Sequence, residues 1–180
     1  MAKKGGVILL NSVAIIPTGD EILNGIVTDT NSPAIMQLIL EVYPKCEIMR
    51  LMPVIDNEIE ITDKLKECLS RDVELIIFIG GSGGGHRHVP TLGKDFTHSA
   101  ILKYLTECKY KAIYGKNGHL WSKLIVAKKD NTFVINVPGP YVEAIEATKA
   151  FINCLINDEK DLSTIVENIA KAVFSKYPIN

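Results

Sequence analysis

The sequence predicts an α/β fold in which a mostly parallel central sheet is covered by helices on both faces. Two observations carry this prediction. Strand-like and helical segments alternate in the order β-loop-α-β-α-β, and residues 75–79 form an uninterrupted apolar run closed by glycine. Apolar runs without alternation are typical of strands buried on both faces, and helices of crossover length between strands indicate parallel pairing.

The composition fits one globular domain spanning residues 1–180, with 47% hydrophobic residues, 23% charged residues and a net charge of −1. This charge gives no global reason to bind nucleic acid or an anionic membrane. Four cysteines lie far apart without a C-x-x-C pair. Such spacing argues against a zinc knuckle or a redox dithiol, and we expect reduced thiols and a cytoplasmic protein.

The elements follow from hydrophobic periodicity. The predicted strands are 7–16, 46–54, 75–79, 110–114, 120–127 and 132–137. The predicted helices begin near Pro33, Asp56, Thr97, Tyr141 and Leu162. The first strand has a lysine pair before it, but its polar residues and the following Pro17 favour a strand over a signal peptide. No segment is long enough to cross a membrane.

Two details of the helices belong to the prediction. Asn31 or Ser32 is expected to cap the first long helix, with Pro33 in its first turn. Apolar residues repeat at helical spacing through the last helix. We expect this C-terminal segment, 158–180, to pack on the domain or on a neighbouring subunit.

A glycine-rich loop follows the buried run 75–79. Five glycines surround Ser82 between Gly80 and Gly85, and such a run suits neither a regular strand nor a helix. At the carboxyl end of a central strand, its N–H groups can approach an anion. Asp95 or Thr97 is expected to cap the next helix, whose N-terminus adds a positive dipole end. A plain surface loop is the alternative.

Three loops meet at one edge in this topology, because the carboxyl ends of parallel strands share an edge. They bring together N–H donors, hydroxyls and carboxylates, which suit a phosphate and a Mg²⁺-held nucleotide. The predicted residues of this site are Thr18, Gly19, Asp20, Gly80, Gly81, Ser82, Gly83, Gly84, Asp95, Thr97, Pro138 and Gly139. The glycine run matches neither the P-loop nor the dinucleotide-binding pattern.

The motifs resemble a known family. Thr18-Gly19-Asp20-Glu21, Asp29-Thr30-Asn31-Ser32, Ile79-Gly80-Gly81-Ser82-Gly83, Asp95-Phe96-Thr97 and Asn136-Val137-Pro138-Gly139-Pro140 occur in the order found in the molybdopterin-binding domain family. This family of molybdenum cofactor biosynthesis includes MogA- and MoaB-like proteins and is related to MoeA, gephyrin and the N-terminal domain of CinA-like proteins. The resemblance covers roughly residues 7–155.

The resemblance implies a three-layer α/β/α sandwich, a homo-oligomer that is usually a trimer, and molybdopterin as the ligand. It implies that Gly80–Gly84 bind the pterin phosphate. Asp95 would then take part in Mg²⁺- and ATP-dependent adenylylation of molybdopterin, with Asp20 as a second Mg²⁺ ligand. Asp95 as a helix cap without a catalytic role stays open.

The sequence departs from the family pattern at the site. Extra residues separate the glycines from Asp95, among them His86, Arg87 and His88, and Pro140-Tyr141 follows Gly139. The two histidines fit half of a metal site, a phosphate contact or solvated residues. Two further functions therefore stay open: a CinA-like nucleotide pyrophosphatase, and a non-catalytic module that binds another phosphorylated ligand.

Overall fold

The protein is described by a computed structural model that covers residues 7–83, 96–116 and 118–177. Within these ranges, strands and helices alternate as the sequence predicts. The strands are β1 (Ser12–Pro17), β2 (Glu47–Arg50), β3 (Leu75–Ile79), β4 (Cys108–Tyr114), β5 (Leu120–Lys129) and β6 (Thr132–Val137). The helices are α1 (Asp20–Leu23), α2 (Asn31–Val42), α3 (Glu58–Leu69), α4 (Thr97–Tyr104), α5 (Tyr141–Ile156) and α6 (Leu162–Phe174).

The described strands form one six-stranded sheet in the order β2-β1-β3-β6-β5-β4. Neighbouring strands among β2, β1, β3 and β6 are parallel, whereas β5 runs antiparallel to β6 and to β4. The mostly parallel sheet is thus confirmed. The antiparallel part consists of the predicted hairpin of β5 and β6, which the charged turn between them allows, and of β4, which pairs with β5.

Helices cover both faces of the sheet, which gives the three layers. Alternate strand residues point to opposite faces, so Ile15, Ile77 and Ile135 pack under α2, α5 and α6. Ile16 and Phe78 belong to the other cluster, which α3 and α4 cover. All five residues of β3 are buried, because this strand has helices above and below it.

The predicted boundaries differ from the structure where pairing decides them. The first strand begins at Ser12 instead of Val7, because the ladder with β2 starts at the pair Ser12 and Glu47. Val7 and Leu9 are exposed, and the predicted loop after Pro17 contains the short helix α1. The length of a strand thus depends on the neighbouring strands with which it pairs. The apolar content of the strand itself does not predict that length.

The predicted cap of α2 is wrong. Thr30 occupies the N-cap position without a side-chain bond, and Asp29 Oδ1 accepts the Ser32 N–H at 2.9 Å. At α4 the N-cap position is Phe96, so Thr97 begins the helix instead of capping it. Its hydroxyl is used in the site described below.

The C-terminal helix α6 packs against α5, β4 and β5, with its buried side chains in the same core cluster as Ile15 and Ile77. In the part of the chain that the structure covers, no helix combines the length and apolarity needed to span a membrane. The four cysteines are free, and burial raises the pKa of Cys46 and Cys68 to about 11.

Candidate functional site

The candidate site lies where the strand order reverses. From β1 the chain passes to β2 on one side and then to β3 on the other, which leaves a crevice at the carboxyl ends of β1 and β3. Thr18 follows β1 and Gly80 follows β3 at this edge. Ligands of open α/β sheets bind at such switch points.

Two threonines connect the strand ends to α4. Thr18 donates twice to the Ile79 carbonyl, from its N–H at 2.8 Å and from its hydroxyl at 3.0 Å. The Thr97 hydroxyl donates to Thr18 Oγ1 at 3.3 Å, and both side chains are buried. The start of α4 is thereby held against the ends of β1 and β3, with its N-terminal dipole at the crevice.

The backbone of the loop needs glycine at its first two positions. Gly80 and Gly81 have φ of +98° and +60°, in the region that side chains disfavour. A Cβ on Gly80 would lie 2.8 Å from the Thr18 carbonyl oxygen, and one on Gly81 would overlap the Thr97 hydroxyl. The loop therefore approaches Thr18 and Thr97 more closely than any side chain permits.

Ser82 extends the sheet where β6 ends. Its carbonyl accepts the Lys123 N–H at 2.7 Å, and its hydroxyl accepts from Ser122 Oγ at 3.0 Å. The Asn136 side chain is fully buried and joins β5 to β6 where the two strands move apart. It accepts the Ile125 N–H at 2.7 Å and donates to the Lys123 carbonyl at 2.9 Å. The loop up to Ser82 is thus fixed at both ends by hydrogen bonds.

Two aspartates approach the loop from the other side. Gly19 N–H donates to the Val54 carbonyl at 2.9 Å, and Asp56 N–H donates to Asp20 Oδ1 at 3.2 Å, so the loops after β1 and β2 are joined. Asp56 Oδ1 lies 3.2 Å from the point that a Cβ on Gly81 would occupy. Carboxylates at this distance suit a cation bound together with a phosphate.

The loop after β6 completes the edge. Asn31, at the start of α2, donates from Nδ2 to the Gly139 carbonyl at 2.7 Å, and a Cβ on Gly139 would lie 4.0 Å from the Gly80 Cα. Pro138 is buried, and α5 begins two residues after Gly139. The N-termini of α2, α4 and α5 therefore lie at this one edge, an arrangement that favours an anion.

The described residues do not by themselves form a metal site. Within residues 7–83, 96–116 and 118–177, no cluster of three or more histidine, cysteine, aspartate or glutamate side chains has the geometry to hold an ion. Asp20 fits the donor chemistry of Mg²⁺ as a single carboxylate. Mg²⁺ commonly takes one or two carboxylates and completes its shell with phosphate oxygens and water.

The structure brings most of the predicted site residues together. Those at the shared edge are Thr18, Gly19, Asp20, Gly80, Gly81, Ser82, Gly83, Thr97, Pro138 and Gly139. Gly84, Asp95 and the segment with His86, Arg87 and His88 lie outside the described residues.

Several residues at the edge were not predicted as site residues. Among them are Asp56, Ser122 and Asn136. Asp56 follows β2, so applying the carboxyl-edge rule to every parallel strand would have found it. Ser122 and Asn136 belong to the contact between β5 and the loop, which depends on a register that the sequence does not encode locally.

Fold and site together define an α/β protein with a glycine-rich loop at the switch point of its sheet. A sequence profile of the family described as "Probable molybdopterin binding domain" matches residues 14–158. The chain therefore belongs to this family. This membership supports a role related to molybdenum cofactor biosynthesis, with a molybdopterin as the ligand.

Solved structures agree on the fold. CinA of unknown function from Thermoplasma acidophilum superposes with a TM-score of 0.64 at 18% identity, covering 82% of this chain and 99% of that one. The molybdopterin biosynthesis enzyme MoaB from Thermus thermophilus gives 0.64 at 21% identity, with 88% and 98% covered. At these identities the likeness concerns the fold alone.

A curated relative shares part of the sequence. Protein PH0439 of Pyrococcus horikoshii is 35% identical over 94 residues, which is 52% of this chain and 36% of the relative. The matched region thus spans about a third of that protein's length.

Proposed function

We propose that this protein binds molybdopterin through its terminal phosphate and transfers an adenylyl group to it from ATP. The observation that carries the proposal is the convergence of Thr18, the Gly80–Ser82 backbone and Thr97 at the switch point, surrounded by helix N-termini. Backbone N–H groups and helix dipoles in this arrangement stabilise phosphate oxygens.

In the proposed reaction, an oxygen of the pterin phosphate attacks the α-phosphorus of ATP. A new P–O bond forms, the bond between the α- and β-phosphates breaks, and pyrophosphate leaves. Bound Mg²⁺ would neutralise charge on the phosphates, with Asp20 and Asp95 as its protein ligands. The loop and α4 would act by orientation and by stabilising the negative charge, because phosphoryl-type transfers need little covalent help from the protein.

The first experiment compares ligands for the wild type. Purified protein is titrated with molybdopterin, with ATP plus Mg²⁺ and with ADP-ribose while its thermal unfolding is followed, because a ligand that binds only the folded state raises Tm. We expect a rise with molybdopterin, followed by pyrophosphate release when molybdopterin and ATP are combined. A rise and hydrolysis with ADP-ribose alone would instead support the pyrophosphatase, and stabilisation without turnover a binding module.

The second experiment separates binding from catalysis. Asp20→Asn keeps an oxygen that can accept the Asp56 N–H but removes the charge, and Asp95→Asn tests the residue that the family resemblance singles out. Both variants are expected to retain molybdopterin binding and to lose at least about 100-fold in adenylyl transfer. Full turnover by either variant would remove that carboxylate from the proposed mechanism.

A further inference from the structure

Lys123 lies at the site edge although it belongs to the hairpin. Its N–H and its carbonyl bond Ser82 and Asn136, so its backbone is joined directly to the glycine loop and to the end of β6. Ile125, two residues further along β5, packs on the α3 and α4 side of the sheet. Because side chains two residues apart share a face, Lys123 points to the face from which α4 presents Thr97.

The ammonium group of Lys123 rests on an aromatic ring. Its Nζ is 4.4 Å from the ring centroid of Tyr110, a side chain that is 56% exposed. Within the part of the chain that the structure covers, no carboxylate lies at ion-pair distance from Lys123, whereas Lys111 on the neighbouring strand pairs with Glu167 at 2.8 Å. The positive charge is therefore held in place and is not neutralised by any acidic side chain among the described residues.

A charge of this kind complements the described part of the loop, which carries no cationic side chain between Gly80 and Gly83. Gly81 and Ser82 offer neutral N–H dipoles, whereas the Gly80 N–H already donates to the Val137 carbonyl at 3.0 Å. Asp20 and Asp56 add negative charge beside them. A ligand with two or more phosphate charges needs a cation in addition to N–H donors, because oriented dipoles neutralise only part of that charge. The Tyr110 ring restricts the flexible lysine stem, so less entropy is lost when the ammonium binds.

We propose that Lys123 is a phosphate-binding residue of this site, whose ammonium contacts the second anionic group of a ligand held by the backbone N–H groups of Gly81 and Ser82. The ligand class is a phosphoanhydride or another compound with adjacent phosphates. This inference rests on the proposed function, because it assigns a further contact to the same ligand site.

The test uses pyrophosphate and ATP with Mg²⁺ as probes, measured by isothermal titration calorimetry at 50 and 200 mM NaCl. Lys123→Met keeps the length of the stem and removes the charge. We expect its Kd for both probes to rise about tenfold at 50 mM NaCl, and the dependence of Kd on salt to become weaker than in the wild type. Lys123→Arg restores a positive charge and should recover most of the affinity.

The matched control lies on the same strand. Lys128 also rests on a ring, 5.3 Å from the centroid of Phe133, but it is close to the turn at the opposite edge of the sheet. Lys128→Met should leave Kd within twofold of the wild type. All variants are first compared by thermal unfolding to confirm that they are folded.

Each outcome decides a separate question. Tight binding by the wild type with an unchanged Kd in Lys123→Met overturns the inference and leaves the proposed function intact. Equal weakening in Lys123→Met and Lys128→Met also overturns it, because the effect would then be one of net charge. If the wild type binds neither probe nor molybdopterin, the proposed function fails and this inference fails with it.

Discussion

Single glycines decide whether the loop can approach Thr18 and Thr97. Gly81 combines a positive φ with a position where a Cβ would lie 2.9 Å from Thr97 Cβ. Gly25 has a similar φ of +70°, but no atom lies within 4 Å of its Cβ position. The two glycines therefore separate backbone strain from steric overlap.

The first prediction uses this pair. Gly25→Ala should lower the free energy of unfolding by about 1 kcal/mol, the cost of a side chain in the left-handed region. Gly81→Ala adds the displacement of Thr97 and should cost about 3 kcal/mol. Urea denaturation followed by circular dichroism measures both. Equal losses would mean that the loop moves away from Thr97 without difficulty.

Residues of the site were predictable to the extent that they follow a strand. Thr18, Gly80 and Gly139 come directly after or close to apolar strands, so the edge rule places them together. Asn136 and Lys123 lie inside β6 and β5. Although Asn136 begins one of the family motifs, the local sequence does not show that either residue contacts the loop. Their roles depend on the divergence of β5 from β6, a property of three-dimensional register.

Among the elements, α2 shows how one carboxylate can serve two partners. Asp29 accepts the Ser32 N–H through Oδ1 and pairs through Oδ2 with Arg50 of β2 at 3.0 Å. Burial alone would raise the pKa of Asp29, but the hydrogen bonds from Ser32 and the charge of Arg50 outweigh it and hold this pKa below its usual value. The ionised form thus stabilises the folded state.

The second prediction follows from the sign of this shift. Because the folded-state pKa is lowered, the stabilisation is complete above the unfolded-state pKa of about 4 and is lost as pH falls through the folded-state value. Asp29→Asn should lower the free energy of unfolding by about 1–2 kcal/mol at pH 7. The difference from the wild type should shrink below pH 4.

Its control is Asp63→Asn on α3, which breaks an exposed pair with Lys66 and should change stability by less than about 0.5 kcal/mol. Denaturant titrations from pH 7 to pH 3 measure both variants. A difference between wild type and Asp29→Asn that stays constant over this range would contradict the linkage.

The third prediction concerns α6. Ile165 is fully buried and Phe174 is 49% exposed, although phenylalanine is the larger side chain. Ile165→Ala should cost about 2–5 kcal/mol, because it leaves a cavity between α6 and the sheet, and Phe174→Ala should cost less than about 1.5 kcal/mol. Urea denaturation compares them. The reverse order would mean that α6 is held chiefly through its outer face.

Element types were predictable more fully than element ends. The continuous apolar run predicted the observed bounds of β3. The helical periodicity of the last segment predicted the buried face of α6. The ends of β1 and the cap of α2 were not predictable, because they depend on where β2 begins and on which polar side chain reaches the first turn.

For the whole molecule, exposed apolar side chains mark a candidate contact between subunits. Ile26 is 78% exposed and Met52 is 69% exposed. Ile26 follows α1 and Met52 lies on the loop after β2, and hydrogen bonds from Gly19 to Val54 and from Asp56 to Asp20 join these two parts of the chain. We propose that these loops bury apolar surface against a second copy of the chain, in the trimer that the family resemblance implies.

The fourth prediction is an oligomeric mass. Light scattering coupled to size-exclusion chromatography should give three times the 19.8 kDa mass of one chain. The double variant Ile26→Glu and Met52→Glu should shift this mass towards that of one chain, whereas Leu9→Glu, at a position that is 71% exposed, should not. A wild type that elutes as a monomer at micromolar concentration would contradict the assembly.

The hydrogen bond from Lys123 to Ser82 has a consequence for how sequences of this kind can change. Ser82 is the last loop residue that this bond attaches to the sheet. Changes confined to the residues between Gly83 and Asp95 are therefore expected to leave the backbone positions of Gly80, Gly81 and Ser82 unchanged. A library with variation only in this segment would change ligand preference while the backbone of Gly80–Ser82 stays the same. The chain is therefore a starting scaffold for new binders of phosphorylated compounds.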